Sequence, residues 1–152
     1  MKSFLILAFI FLFSIPSFSY PLIPNPEWAK GSLCDRQDSD YEKDRYSQKI
    51  PYCRRNVETS LKHKLYDLYQ IPENCRKRYT IDHIIPLSVG GDNTPQNLWP
   101  EHVHVKATRM RFEEEIFHEV RDGNLSQKEA VEIIIKEKFT PKRPSHKITP
   151  CD

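Results

Sequence analysis

Apolar residues along this chain fall into blocks with different periods. From Phe4 to Phe13 they run without a charge or a polar residue. From Asp35 to Lys49 polar and charged residues dominate, with little periodicity. Val57, Leu61, Leu65 and Leu68 then recur at helical spacing, and Asn56 can cap the element. A helix is expected over about 56–69, ended by Pro72. Tyr79–Leu87 has strand character, Gly90-Gly91-Asp92-Asn93 signals a turn or loop, and Leu98-Trp99 is a short second strand. Pro100 suits the first turn of a following helix. That helix is expected over about 101–121, with Gly123 in the left-handed cap position. Phe112, Ile116 and Val120 share one phase, whereas Val103, Ala107 and Met110 share another, so a bend or break near residue 110 is expected. Ser126 and Glu129 form a capping box opening a last helix to about Phe139, with Val131, Ile134, Ile135 and Phe139 as its buried stripe. The order helix, strand, loop, strand, helix, helix predicts a small α+β domain.

The first block is too short for a membrane span, and small residues at Ser17 and Ser19 follow it. Residues 1–19 are therefore expected to be a signal peptide, cleaved near Ser19. The organisation expected is an irregular segment over 20–56, a domain over 57–139 and an extended tail over 140–152. The mature protein would be secreted or periplasmic, with no membrane association, and monomeric. The full chain of 152 residues carries a net charge of +2, and the expected signal peptide contributes Lys2. Overall charge thus does not mark a nucleic-acid binder, and any attraction to phosphate must be local. Cys34, Cys53, Cys75 and Cys151 are widely spaced and include no Cys-x-x-Cys pair. In an exported chain this favours two disulfides over a zinc–thiolate site, with three connectivities open. Cys34 and Cys53 are expected to tie down the irregular segment.

The chemistry concentrates between Tyr79 and His104. His83 can take a proton from water near neutral pH. Asp82 is a hard oxygen ligand suited to Mg²⁺ or Mn²⁺. His102 or His104 could complete the coordination, and Asn97 could close the loop or fix the His83 ring through its other nitrogen. One difficulty is geometric: neighbours on a regular strand point to opposite faces, so Asp82 and His83 share a site only where the strand is distorted or ending. Arg76, Lys77 and Arg78 precede the strand, and Lys106, Arg109 and Arg111 follow it. Each could neutralise a phosphate without reading sequence. Trp99 and Tyr79 could stack on a base, although core packing is the favoured role. His63 is expected to face solvent.

The run D-H-I-I-P-L-S-V-G-G-D-N…N-L-W-P-E resembles the HNH endonucleases, the ββα-metal or His-Me finger family. It is similar in particular to a bacterial group with a D-H-x-x-P-L-x-x-G-G…N-L-W-P signature. The likeness is close over about residues 78–102 and extends loosely to about 139. P-Y-C-R-R-N-V at 51–57 looks like a lead-in of exported members, and residues 20–50 carry no resemblance. The resemblance implies a ββα-metal core with flanking helices. It implies His83 as general base, Asn97 as the residue positioning base and loop, and Asp82 as metal ligand. The last ligand would be His102, with His104 as the alternative. It also implies one divalent metal per site, Mg²⁺ first and Mn²⁺ or Zn²⁺ as alternatives. The substrate would be nucleic acid, DNA ahead of RNA, cut with weak sequence specificity to a 5′-phosphate, with Arg76, Arg78, Lys106 and Arg109 as substrate contacts. Two rival readings are a non-catalytic nucleic-acid-binding module and a zinc-stabilised secreted interaction protein.

Overall fold

The computed structural model describes residues 21–109, 111–140, 149 and 151. The expected signal peptide and nearly all of the expected tail lie outside the described residues. What is described is a small mixed α/β domain with two small antiparallel sheets.

The segment expected to be irregular carries the first sheet. Strands β1 (Tyr41–Arg45) and β2 (Ile50–Cys53) pair antiparallel. Tyr46 and Lys49 both take left-handed backbone angles in the connecting turn, without a glycine. Such a turn leaves a weak sequence signal, because the usual Asn-Gly or Asp-Gly pair is missing. Ile50 and Cys53 are buried, while the middle of β1 is exposed, so no alternation reveals it.

Helix α1 (Thr59–Leu68) buries Leu65 and starts slightly later than expected. Its end is set by the backbone ahead of Pro72. Gln70 is left-handed, its N–H donates to the Asp67 carbonyl, and the Ile71 N–H donates to Tyr66 at 2.8 Å. These two bonds satisfy carbonyls that the helix leaves open. Of the expected apolar stripe, Leu68 is exposed. His63 is exposed, as expected.

The second sheet is the hairpin of β3 (Tyr79–His83) and β4 (Leu98–His102), in unbroken register from Tyr79 opposite His102 to His83 opposite Leu98. Both strand boundaries differ from expectation. β3 stops at His83 and β4 continues through Pro100, which was expected in a helix. A two-stranded ribbon has only edges, where a residue lacking an N–H is tolerated. The expected long helix is two pieces, α2 (Val103–Ala107) and α3 (Phe112–Arg121), in line with the change of phase near 110. Gly123 takes the left-handed cap after α3, with φ +82°. Helix α4 (Gln127–Phe139) opens on the expected Ser126–Glu129 capping box. Its fully buried positions are Ala130, Ile134 and Lys138, with Val131, Ile135 and Phe139 packed beside them.

The hairpin lies between two apolar clusters. Trp99 belongs to the main core with Ile116, Val120, Ala130 and Ile134. Ile81 and Leu98 join Leu65 of α1 in the other. Disulfides join Cys34 to Cys53 and Cys75 to Cys151. The first anchors the N-terminal sheet close to the loop between β3 and β4, because the Cys34 N–H donates to the Gly90 carbonyl at 2.8 Å.

That loop needs both of its glycines. Gly90 sits at φ +90°, and a Cβ on Gly91 would meet the Ile85 carbonyl oxygen. Gly123 instead faces open space. Gly123→Ala should therefore cost about 1 kcal/mol, from backbone conformation alone. Gly91→Ala should cost clearly more, and thermal melting of the two variants side by side checks the order.

Candidate functional site

The hairpin register decides what Asp82 and His83 can share. Asp82 lies opposite Trp99 and His83 opposite Leu98, without a bulge. Directly opposed residues share a face, and neighbours alternate. Asp82, Trp99 and Glu101 thus occupy one face, and Ile81, His83, Leu98 and His102 the other. The distortion that would bring Asp82 and His83 together is absent from the register.

On the first face Asp82 is enclosed by cations. Lys106 Nζ lies 3.0 Å from Oδ1 and Lys138 Nζ 3.0 Å from Oδ2. Lys138, buried completely, also lies 2.6 Å from Glu113 and 3.9 Å from Glu101. Arg109, itself buried, donates to Glu101. Burial opposes the charge on Asp82, but Lys138, a bond shared with Glu101, and Lys106 hold its carboxyl well below the usual range. Burial, with Asp82 beside it, pushes Glu101 up to about 8. Lys138 resists the same burial penalty because Asp82, Glu101 and Glu113 raise it.

This arrangement does not bring the expected metal pair together. Each Asp82 oxygen already faces an ammonium group, and His102 is on the opposite side of the ribbon. The His102 ring packs edge-on against Tyr79 with centroids 4.9 Å apart, and its Nδ1 accepts from the His104 N–H at 3.2 Å. The His104 ring lies tilted against His102, with centroids 5.3 Å apart. Asp82 and His102 as placed do not fit a shared Mg²⁺. Among the described residues, one grouping of three potential ligand residues lies close enough for an ion: Cys34, Asp38 and Cys53. Its two sulfurs are spent in a disulfide and are not thiolate ligands.

The expected substrate contacts are mostly engaged elsewhere. Lys106 and Arg109 belong to the Asp82–Glu101 cluster. Arg76 pairs with Asp67 and lies over the Tyr66 ring. Arg78 is exposed.

His83 sits at the end of β3, where the chain leaves the ribbon. Asn97, fully buried, closes the loop there. Its Oδ1 accepts from the Ile85 N–H at 2.8 Å, and its Nδ2 donates to the Ile85 and Asp92 carbonyls, both at 2.9 Å. This is the loop-closing role expected for it. The ring-fixing role falls instead to Asn93, whose Oδ1 is 3.2 Å from His83 Nε2. The other ring nitrogen, Nδ1, is buried with no hydrogen-bond partner. Burial lowers the His83 pKa, and the nearby Arg55 charge acts in the same direction against the Asn93 bond, so the ring is neutral at pH 7. Beside Asn93 lies a small cleft of about 150 Å³ that Asp38, Asp40, Asn56, Asp92 and Thr94 help to line.

Asn93 and Arg55 were not singled out in the sequence. Asn93 stood within a turn signal, where an asparagine needs no further explanation. Arg55 stood outside the main motif. No protein-family model, curated protein or solved structure matches this chain.

Two outcomes follow from the two faces. Lys138→Ala leaves Asp82 and Glu113 without their shared cation, so denaturant unfolding should register a loss of about 3–5 kcal/mol. For His83 the folded pKa lies below that of the unfolded chain, so the unfolded state takes up the proton first. The stability this group contributes is present above about pH 6.5 and is lost as pH falls through the folded value. Glu101, raised to about 8, slopes the opposite way as pH rises toward that value. The difference between wild type and His83→Gln, measured by denaturant unfolding between about pH 7 and pH 5, isolates His83 and should shrink as pH falls.

Proposed function

We propose that this chain is a secreted nuclease of the HNH type, with His83 as the general base for hydrolysis of a phosphodiester. The observation that carries the proposal is the state of His83. It is a neutral imidazole with one nitrogen held by Asn93 and the other without a partner. It sits at the start of a D-H…G-G…N-L-W-P loop, whose closure by Asn97 suits the resemblance. A base in this state is ready to accept a proton near pH 7.

In the proposed reaction a water oxygen attacks phosphorus while His83 takes the water's proton, which requires that its Nδ1, buried in the free protein, open to the substrate. The bond from phosphorus to the 3′ oxygen breaks on the far side, and that oxygen leaves with a proton from solvent. The products are a 3′-hydroxyl and a 5′-phosphate, as the resemblance implies. Arg55 is the proposed phosphate contact in place of Lys106 and Arg109. It is exposed, follows the Arg54 carbonyl that Asn93 reaches, and places its charge near His83. Phosphate would approach from the Arg55 side, because the cleft beside Asn93 is lined by aspartates. No step is routed through a metal, since Asp82 and His102 do not meet; the resemblance still proposes a divalent requirement. Export is proposed from the N-terminal sequence, and two disulfides suit an oxidising compartment. No helix among the described residues is long and apolar enough to cross a membrane.

Digestion of several unrelated DNA duplexes and of RNA by the oxidised protein, with Mg²⁺ and with chelator, tests the proposal. His83→Ala should lower cleavage by at least about 100-fold with the fold intact by circular dichroism. Arg55→Ala should chiefly raise KM. Cleavage by His83→Ala at the wild-type rate would end this reading, and binding without cleavage by the wild type would favour a non-catalytic module.

A further inference from the structure

Two residues flanking the sheet of β1 and β2, Asp40 and Arg54, meet on one side chain next to His83. Asn93 Nδ2 donates to Asp40 Oδ2 at 3.1 Å and to the Arg54 carbonyl at 2.8 Å. Both partners are acceptors only, so the amide's orientation is decided by its surroundings. Turned over, Asn93 would point its own oxygen at a carboxylate and a carbonyl. Its Oδ1 must therefore face His83, and the ring nitrogen 3.2 Å away must be the donor. A neutral imidazole carries one proton, so the other nitrogen holds the lone pair.

Asp40 is itself oriented. Its Oδ1 accepts from Asn56 Nδ2 at 2.7 Å, and its backbone carbonyl accepts from the Arg54 N–H at 2.9 Å. Asp40 precedes β1 and Arg54 follows β2, so the strand pairing holds the two acceptors together. Cys53, next to Arg54, is bonded to Cys34, which is tied to the loop at Gly90.

We propose that Asp40 and the Arg54 carbonyl, acting through Asn93, form a positioning relay that keeps the His83 proton on Nε2 and leaves Nδ1 as its basic nitrogen. The N-terminal sheet is then a working part of the site. Asn93 and Asp40 are positioning residues, since neither needs to touch the reacting atoms. The significance of the relay rests on His83 being the base, but its tautomer is measurable without any substrate.

The test is a long-range ¹H–¹⁵N correlation spectrum of histidine-labelled full-length protein at about pH 8, where His83 is neutral. His83→Gln assigns the signal. The wild type should show a protonated Nε2 and an unprotonated Nδ1. Asn93→Ala should move both nitrogens toward the averaged values of a free imidazole, and Asp40→Ala should move them the same way by less. Asp40 is half-buried, so its variant keeps the test decisive should Asn93→Ala fail to fold. In the nuclease assay Asn93→Ala should lower kcat on the order of 10- to 100-fold with little change in KM. A wild-type ring protonated on Nδ1, or a tautomer unchanged in the folded variants, would overturn the relay. Absence of cleavage by a wild type showing the Nε2–H signature would sink the nuclease reading and leave the relay standing.

Discussion

The Asn97 side chain decides where β3 ends, and the geometry of His83 depends on it. Its amide bonds both to the N–H and to the carbonyl of Ile85, much as a paired strand residue would. A third bond reaches the Asp92 carbonyl, and its own backbone carbonyl accepts from the Ile84 N–H at 2.8 Å. A buried backbone group without a partner is costly, and this loop would otherwise hold several. One side chain satisfies three of them. Gly91 is required because the Ile85 carbonyl and the Asn97 amide come so close to it that a Cβ has no room.

The same ribbon separates two chemistries. The Asp82 face is a closed set of opposite charges in which Lys138 joins the strand to α4 and, through Glu113, to α3. Such a cluster tolerates burial because its charges are paired, and losing one partner leaves another uncompensated. The His83 face meets the N-terminal sheet through Asn93. One residue of strand alternation thus directs a carboxylate into an ion-pair cluster and an imidazole toward a polar junction.

Much of the frame was legible in the sequence. The Ser126–Glu129 capping box, the left-handed Gly123 and the break between α2 and α3 are local events, governed by residues a few positions apart. The loop-closing use of Asn97 was also anticipated, because an amide that donates and accepts suits a tight loop. The β1–β2 hairpin was not, since its turn uses Tyr46 and Lys49 in left-handed conformations and its strands lack an alternating pattern. Lys138 escaped notice because lysine near a helix end is normally solvated; its burial needs carboxylates from three other elements.

The sequence by itself determined the helices, the glycine-dependent loop and the presence of Asp82, His83 and Asn97 on one short stretch. These depend on backbone conformation and on periodicity, which act over a few residues. Only the tertiary structure decided which groups meet. It sent Asp82 to Lys106 and Lys138, kept His102 on the other face, joined Cys34 to Cys53 and Cys75 to Cys151, and set Asn93 between His83 and Asp40. The physical reason is that strand register and the packing of distant segments choose the partners of a buried charge or amide. Nothing in the side chain or its immediate neighbours specifies them.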